Sequence, residues 1–371
     1  MNGSYWLITT VFAAAFLAGA VFALPAILAT SLTNHLQLSE GRRRTLRSLW
    51  FLLLVPMMLV SGLLIDKLGV QTVLLTGALL AALALVVVER AASQGSALGA
   101  MLLFAGASAA LMTGSLIAMP QAIFPDRPAR SINLGSLAIV LGILWTPALL
   151  GMLTKRLEPR KALLLLALVC LVPAAAAACT PPAEMPHSNR TVDWTHLFAD
   201  YRLGLLALLV FLAFPLEAAL AGWVKRYVAE LRYLPGSTAV LWCGFWLAFL
   251  GARLATGLLL PAGGEAVLVL VLAMVATVTL GHMLSEYASG SAGLWLIGAC
   301  CGPLVPTLLG LVLKLYPAAA GAALGLVNGA GALSALALLP FMESSTRPAL
   351  RWSTLLALVL MAPALVLVLL Q

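Results

Sequence analysis

The sequence predicts an all-α membrane protein, with twelve transmembrane helices in two pseudo-symmetric six-helix bundles. Three observations predict it. Hydrophobic residues make up 63% of the 371 positions, only 9% are charged, and mean hydropathy is +1.07. A soluble domain is about 45–50% apolar and about 25% charged, so this chain has too few polar groups to cover a wetted surface and belongs in a bilayer. The apolar residues also fall into runs near the ~20 residues that cross a hydrocarbon core. Finally, the two halves of the chain resemble each other at an offset of about 190 residues.

The runs cover 5–31, 48–66, 72–91, 97–122, 131–153, 161–179, 203–224, 236–260, 265–283, 291–314, 318–341 and 351–370. The first follows MNGSYW, which has no basic n-region, and it outruns a signal-peptide core, so it reads as a retained helix. Several connections are only a few residues long, which makes successive helices antiparallel neighbours. The longest polar gap, Thr180 to Arg202, opens with prolines and closes with the amphipathic DWTHLFADY. It divides the spans six and six. The expected organisation is an N-terminal bundle over 1–179, a central cytoplasmic linker over 180–202 and a C-terminal bundle over 203–371.

The internal repeat is carried by small residues and prolines. Span four contains FAGASAAL and span ten IGACCGPL; Gly106 and Pro125 stand nineteen residues apart, as do Gly298 and Pro317. The following spans open SINLG (Ser131–Gly135) and GAALG (Gly321–Gly325). Two parallel six-helix repeats are a transporter design.

Charge and cysteine usage narrow the function classes. The net charge of +8 is spread over short connections between spans, which argues against nucleic acid as a partner. The five cysteines lie in or at the ends of apolar runs without metal-ligand spacing, and Cys300-Cys301 reads as a pair of small packing residues. No metal or cofactor is expected. The absence of a P-loop argues against ATP-driven transport.

The connection between spans two and three reads Gly62-x-x-x-Asp66-Lys67-x-Gly69. Gly62 suits close helix packing, Asp66 ends span two as an anion, and Lys67 with Gly69 suits a tight connection. The stretch resembles the loop 2–3 signature of the major facilitator superfamily in its G-x-x-x-D-[RK]-x-G core. Val70 and Gln71 stand where the family often carries a basic residue. The resemblance implies the major facilitator fold and a gating role for Gly62, Asp66, Lys67 and Gly69. In that role Asp66 docks near the N-terminus of helix eleven, where unsatisfied N–H groups carry partial positive charge. Helix eleven opens AAAGAALG, and Gly321, Gly325 and Gly329 form a small-residue packing stripe. Without the following basic residues, the latch is expected to be simpler and weaker than the family norm.

Spans seven and eight carry FPLEAALAGWVKRYV and LWCGFWLAFLGARLATG. The run Glu217, Gly222-Trp223, Tyr227, Phe245-Trp246 and Gly251-x-Arg253 is similar to the fucose-permease-like and fungal bypass-of-stop-codon branch of the superfamily, whose members are sugar porters. Glu217 lies about fourteen residues into its span, and Arg253 roughly 10 Å from a span end at 1.5 Å per residue. An intramembrane charge costs at least ~2.5 kcal/mol on insertion scales and usually faces a cavity or a partner. Glu217 is therefore the leading candidate for binding solute hydroxyls, carrying a coupling proton, or both. The competing reading makes it a bridge between helices, to Arg253 itself, with Arg253 structural. Gln121, Asn133 and Asn328 have the donors and acceptors that sugar hydroxyls need, or serve as interhelical glue. Trp246 suits stacking on a sugar face, or core packing. The branch usually carries a further acidic residue in its first half, and spans one and four have none here, which moves any proton-coupling burden to Glu217.

The expected function is secondary or facilitative transport of a small polar solute, a sugar by resemblance, through alternating access. The alternatives are efflux of amphipathic drugs or metabolites and a non-transporting scaffold or sensor of the same fold. An intramembrane enzyme is a further class; its nearest cluster, His282-x-x-Ser285-Glu286, sits at a span end and lacks an H-E-x-x-H arrangement. The expected partners are the solute, the lipid bilayer and a coupling proton, and the chain is expected to act as a monomer in the cell membrane (the inner membrane in a bacterium). The family places both termini inside. On that orientation fourteen Lys and Arg fall outside and six inside, so the placement rests on the motif and the repeat, against the positive-inside rule.

Overall fold

A computed structural model describes residues 2–35, 40–90, 94–180, 194–230, 237–285, 291–342 and 345–370. Among them are twelve helices long and apolar enough to cross a membrane. These are α1 (Asn2–His35), α2 (Glu40–Leu68), α3 (Val70–Glu89), α4 (Gln94–Ala122), α5 (Pro128–Arg156), α6 (Pro159–Cys179), α8 (Tyr201–Glu230), α9 (Ser237–Leu259), α10 (Glu265–Ser285), α11 (Ser291–Leu315), α12 (Ala320–Met342) and α13 (Thr346–Leu369). A short helix, α7 (Trp194–Ala199), precedes α8, and a 3-10 turn over Pro317–Ala319 leads into α12. Residues 181–193, most of the predicted linker, lie outside the described residues.

Helices are what these runs must form, because hydrocarbon offers no partner to backbone N–H and C=O groups. Hydroxyls follow the same rule: Thr154, Thr277 and Thr354 each donate to the carbonyl four residues back. Large apolar side chains such as Leu168, Leu247, Leu259 and Val278 are exposed along the helices, which suits contact with lipid. α2 starts well before its apolar run, at Glu40, since Arg and Leu are good helix formers and a helix does not stop where hydropathy does.

Two compact units emerge. The first holds residues 1–126, 135–193 and 316–329; the second holds 127–134, 194–315 and 330–371. In the first, α3 packs on α4 and α6, and α1 on α4. In the second, α11 packs against α8, α9 and α10, and α10 against α13. The units divide inside α5 and α12, and the two short segments begin those helices. They contain the repeat-related openings Ser131–Leu134 and Gly321–Gly325.

Candidate functional site

Within the first unit, the end of α2 meets the beginning of α12. Gly69 joins α2 to α3 in a single residue with φ of 82°, a conformation that favours glycine. Its N–H donates to the Ile65 carbonyl at 2.9 Å, which ends α2 with Asp66 turned inward. Asp66 is buried, at 3% exposure. Its Oδ1 accepts from the Gly321 N–H at 2.9 Å and its Oδ2 from the Ala322 N–H at 2.8 Å. These are first-turn donors that a helix cannot satisfy internally, and the partial positive charge of the α12 N-terminus faces the carboxylate.

The approach depends on glycine on both sides. A Cβ on Gly62 would fall onto the Gly321 carbonyl oxygen, and a Cβ on Gly321 onto the Gly62 carbonyl oxygen. Gly325 faces the backbone of Met58 and Leu59, and Gly329 the Val55 carbonyl, so the glycine stripe of α12 runs along α2 at four-residue steps. Lys67 is exposed. Gln71, where the family often has a basic residue, donates to the carbonyls of Ala177 and Thr180 at 2.7 and 3.0 Å and so closes the end of α6.

Within the second unit, α8, α9 and α11 converge on an ion pair. An Arg253 Nη2 donates to Glu217 Oε1. The Arg253 side chain is 4% exposed and that of Glu217 25%. Arg253 Nε donates to the Gly302 carbonyl of α11 at 2.6 Å, and its guanidinium lies 4.6 Å from the centre of the Phe249 ring. Trp242, Trp246, Phe249 and Arg253 recur at spacings of four, three and four, which is one face of α9. The Trp242 and Trp246 rings are 5.7 Å apart, and those of Trp246 and Phe249 5.4 Å. The Trp246 Nε1–H is buried with no hydrogen-bond partner among the described residues. Cys300 and Cys301 are free thiols buried in α11. The surroundings of Gly222 and the side chain of Trp223 lie outside what is described.

The remaining candidates sit elsewhere. Asn133, fully buried in the second turn of α5, donates to the Ala129 carbonyl at 2.8 Å and to Thr307 Oγ1 of α11 at 3.1 Å. It ties the opening of α5 to α11 within the second unit and makes no bond to Glu217 or Arg253 among those described. Asn328, half-buried in the middle of α12, has its Nδ2 buried and unmatched among the described residues. Gln121 is exposed at the end of α4.

A charged contact beside the repeated helix opening was not foreseen from the sequence. Arg130, in the first turn of α5, donates from Nε to the Gly257 carbonyl at 2.8 Å and from an Nη to the Leu258 carbonyl. A cation thus covers the last carbonyls of α9, the negative end of that helix. Gly257 allows the approach, since a Cβ there would press on Leu134. The only sequence-level signal was that Arg130 sits next to the repeated helix opening.

Ionisable side chains held inside membrane-crossing helices mark proteins that pass solutes or ions through the bilayer, and this chain is of that class. Residues 10–340 match the sequence model described as Major Facilitator Superfamily, and the chain belongs to that family of transporters. No curated protein matches it in sequence. Solved structures share its fold. The transporter FucP in its outward conformation superposes with a TM-score of 0.77 at 16% identity, covering 96% of this chain and 97% of its own. The human organic anion transporter MFSD10 gives 0.75 at 16%, covering 98% and 100%. The proton:xylose symporter XylE bound to 6-bromo-6-deoxy-D-glucose gives 0.74 at 11%, covering 97% and 95%.

Proposed function

We propose that the protein is a secondary transporter of a small polar solute, with sugars as the solute class, working by alternating access of its two six-helix bundles, 1–179 and 203–371, about the 180–202 linker. The observation that carries this reading is the Glu217–Arg253 pair on α8 and α9, with a quarter of the Glu217 side chain accessible. A carboxylate held by one guanidinium and still partly accessible can accept a hydrogen bond from a solute hydroxyl while the pair keeps its charges matched, or take up a proton and leave the guanidinium as the site's net positive charge. The aromatic face of α9 adds flat apolar surface and an unused indole N–H, the two features a sugar ring engages. Asn133, Asn328 and Gln121 are auxiliary polar groups in this reading. Gly62, Asp66, Lys67 and Gly69 form the gate: the bonds from Asp66 to Gly321 and Ala322 break and re-form as α12 moves along α2. The fold-level likeness to the proton:xylose symporter supports the solute class.

A second reading, export of amphipathic organic anions, is favoured by the aromatic ladder ending on Arg253 and by the likeness to MFSD10. Counterflow in proteoliposomes with a radiolabelled panel of sugars and organic anions decides between them. Saturable exchange of a sugar that disappears in Glu217→Gln, at unchanged protein incorporation, supports the first. Exchange of anions alone supports the second, and exchange of no solute supports a scaffold.

A further inference from the structure

α11 contains two prolines three residues apart, Pro303 and Pro306, yet runs continuously from Ser291 to Leu315. In an α-helix the carbonyl of residue i accepts the N–H of residue i+4, and proline has no N–H to give. Pro306 therefore leaves the Gly302 carbonyl without its helical donor. In an apolar interior such a group must be matched from elsewhere. It is matched by Arg253, whose Nε donates to that oxygen at 2.6 Å. Gly302 also permits the approach: a Cβ there would strike the Phe249 carbonyl oxygen, so glycine lets α9 and α11 touch at this level.

The guanidinium is thus held by a backbone carbonyl at Nε, by the Phe249 ring on its face, and by Glu217 at an Nη. The first two holds belong to the scaffold. Only the third is a titratable side chain. We infer that Pro306 is a positioning residue for Glu217. By withholding an N–H from Gly302 it creates a fixed acceptor, that acceptor anchors Arg253, and the anchored guanidinium sets where the Glu217 carboxylate rests. When Glu217 turns to a solute hydroxyl or a proton, Arg253 stays bonded to Gly302. The cation then waits at a defined point for the carboxylate to return. The inference rests on the proposed role of Glu217 in transport, but the anchor can be tested without any solute.

The test uses the full chain in lipid nanodiscs, labelled with 15N-arginine, with the Arg253 Nε–H resonance assigned by its loss in Arg253→Lys. Pro306→Ala returns an N–H to Gly302, which competes with Arg253. Exchange of the Nε proton with water is expected to quicken about tenfold or more, since a hydrogen bond from a charged donor is lost. The α-hydroxy-acid analogue of alanine at position 306 has neither the ring nor the N–H, and is expected to restore slow exchange. Unchanged exchange in Pro306→Ala overturns the inference. So does equally fast exchange in the ester, because the proline ring rather than the missing N–H would then be responsible. If Pro306→Ala does not fold, an α-hydroxy acid in place of Pro303 carries the same test. It turns the Gly302 carbonyl into a weaker, ester acceptor and keeps Pro306; unchanged exchange there overturns the inference equally. Sugar counterflow separates the two levels. If proton exchange responds as expected while sugar counterflow persists in Glu217→Gln, the anchor stands and the transport role of Glu217 falls.

Discussion

Asp66 and Glu217 are both carboxylates on membrane-spanning helices, and the protein neutralises them by different means. Asp66 is matched by backbone, with one peptide N–H on each oxygen at 2.9 and 2.8 Å. Glu217 is matched by a side chain, Arg253. Backbone donors cannot leave without moving their helix, so the state of Asp66 is tied to the position of α12. A side-chain partner can be exchanged while the helices stay in place, so Glu217 is suited to chemistry with a solute or a proton. Accessibility follows the same division: Asp66 is buried and Glu217 keeps a quarter of its side chain open. In the proposed function the first carboxylate is the latch and the second the working group.

The largest effect is expected from breaking the ion pair. Glu217→Gln leaves the Arg253 charge uncompensated, and removing one partner of a buried pair costs about 3–5 kcal/mol; the partial exposure of Glu217 places this case at the low end. The double variant Glu217→Leu with Arg253→Met is expected to recover only part of that stability: apolar replacement of a whole pair is close to neutral, but it also takes the donor away from the Gly302 carbonyl, which costs about 1–3 kcal/mol. Solute exchange should be absent in both. Thermal unfolding together with counterflow checks this, and recovered exchange in the double variant would make the pair purely structural.

Next comes steric damage to the contact between α2 and α12. Gly62→Val forces α12 away from α2 and should destabilise by about 1–3 kcal/mol, the usual cost of overpacking. Gly99→Ala serves as the control, since a Cβ at Gly99 meets nothing within 4 Å, and it should be stabilising by up to about 1 kcal/mol. Asp66→Asn should cost less than Gly62→Val, about 1–2 kcal/mol, because its amide nitrogen leaves one first-turn N–H without an acceptor. It should change the rate of counterflow while leaving equilibrium solute affinity within about twofold, well under 1 kcal/mol. A collapse of affinity in Asp66→Asn would erase the distinction between latch and working group. The smallest effect is expected from Trp246→Phe. The indole N–H is unmatched among the described residues, so losing the donor is neutral for folding, and the smaller ring against Trp242 and Phe249 should cost about 1 kcal/mol. Any larger loss of sugar affinity would identify that N–H as a donor to the solute.

Much of the contact between Asp66 and α12 was legible in the chain. Asp66 ends an apolar run before a glycine, and the glycine stripe of α12 is plain in sequence. Gln71 was read only as a missing cation, and its bonds to the end of α6 depend on a carbonyl 106 residues away. The ion pair was half legible. Two charges in apolar runs demand partners, but sequence left both a joint pairing and separate roles open. Asn133 shows the limit most clearly. Its polarity suited a solute or interhelical glue alike, and only the fold places Ala129 and Thr307 where its amide donates to them, because in hydrocarbon the nearest acceptor competes with any ligand.

By itself, the sequence determined the twelve spans, the half-repeat and the residues that hydrocarbon cannot leave unmatched. Hydropathy, helix length and the cost of an unpaired charge act locally, so they can be read along the chain. Even the vacant Gly302 carbonyl is implied by Pro306 four residues on. Only the tertiary structure decided which groups answer those demands: Arg253 for Gly302, Asp66 for the α12 N-terminus and Arg130 for the end of α9. These partners lie 49, 255 and 127 residues apart. They meet because glycines let the helices close to backbone contact, and that geometry belongs to the packed bundle rather than to any one helix.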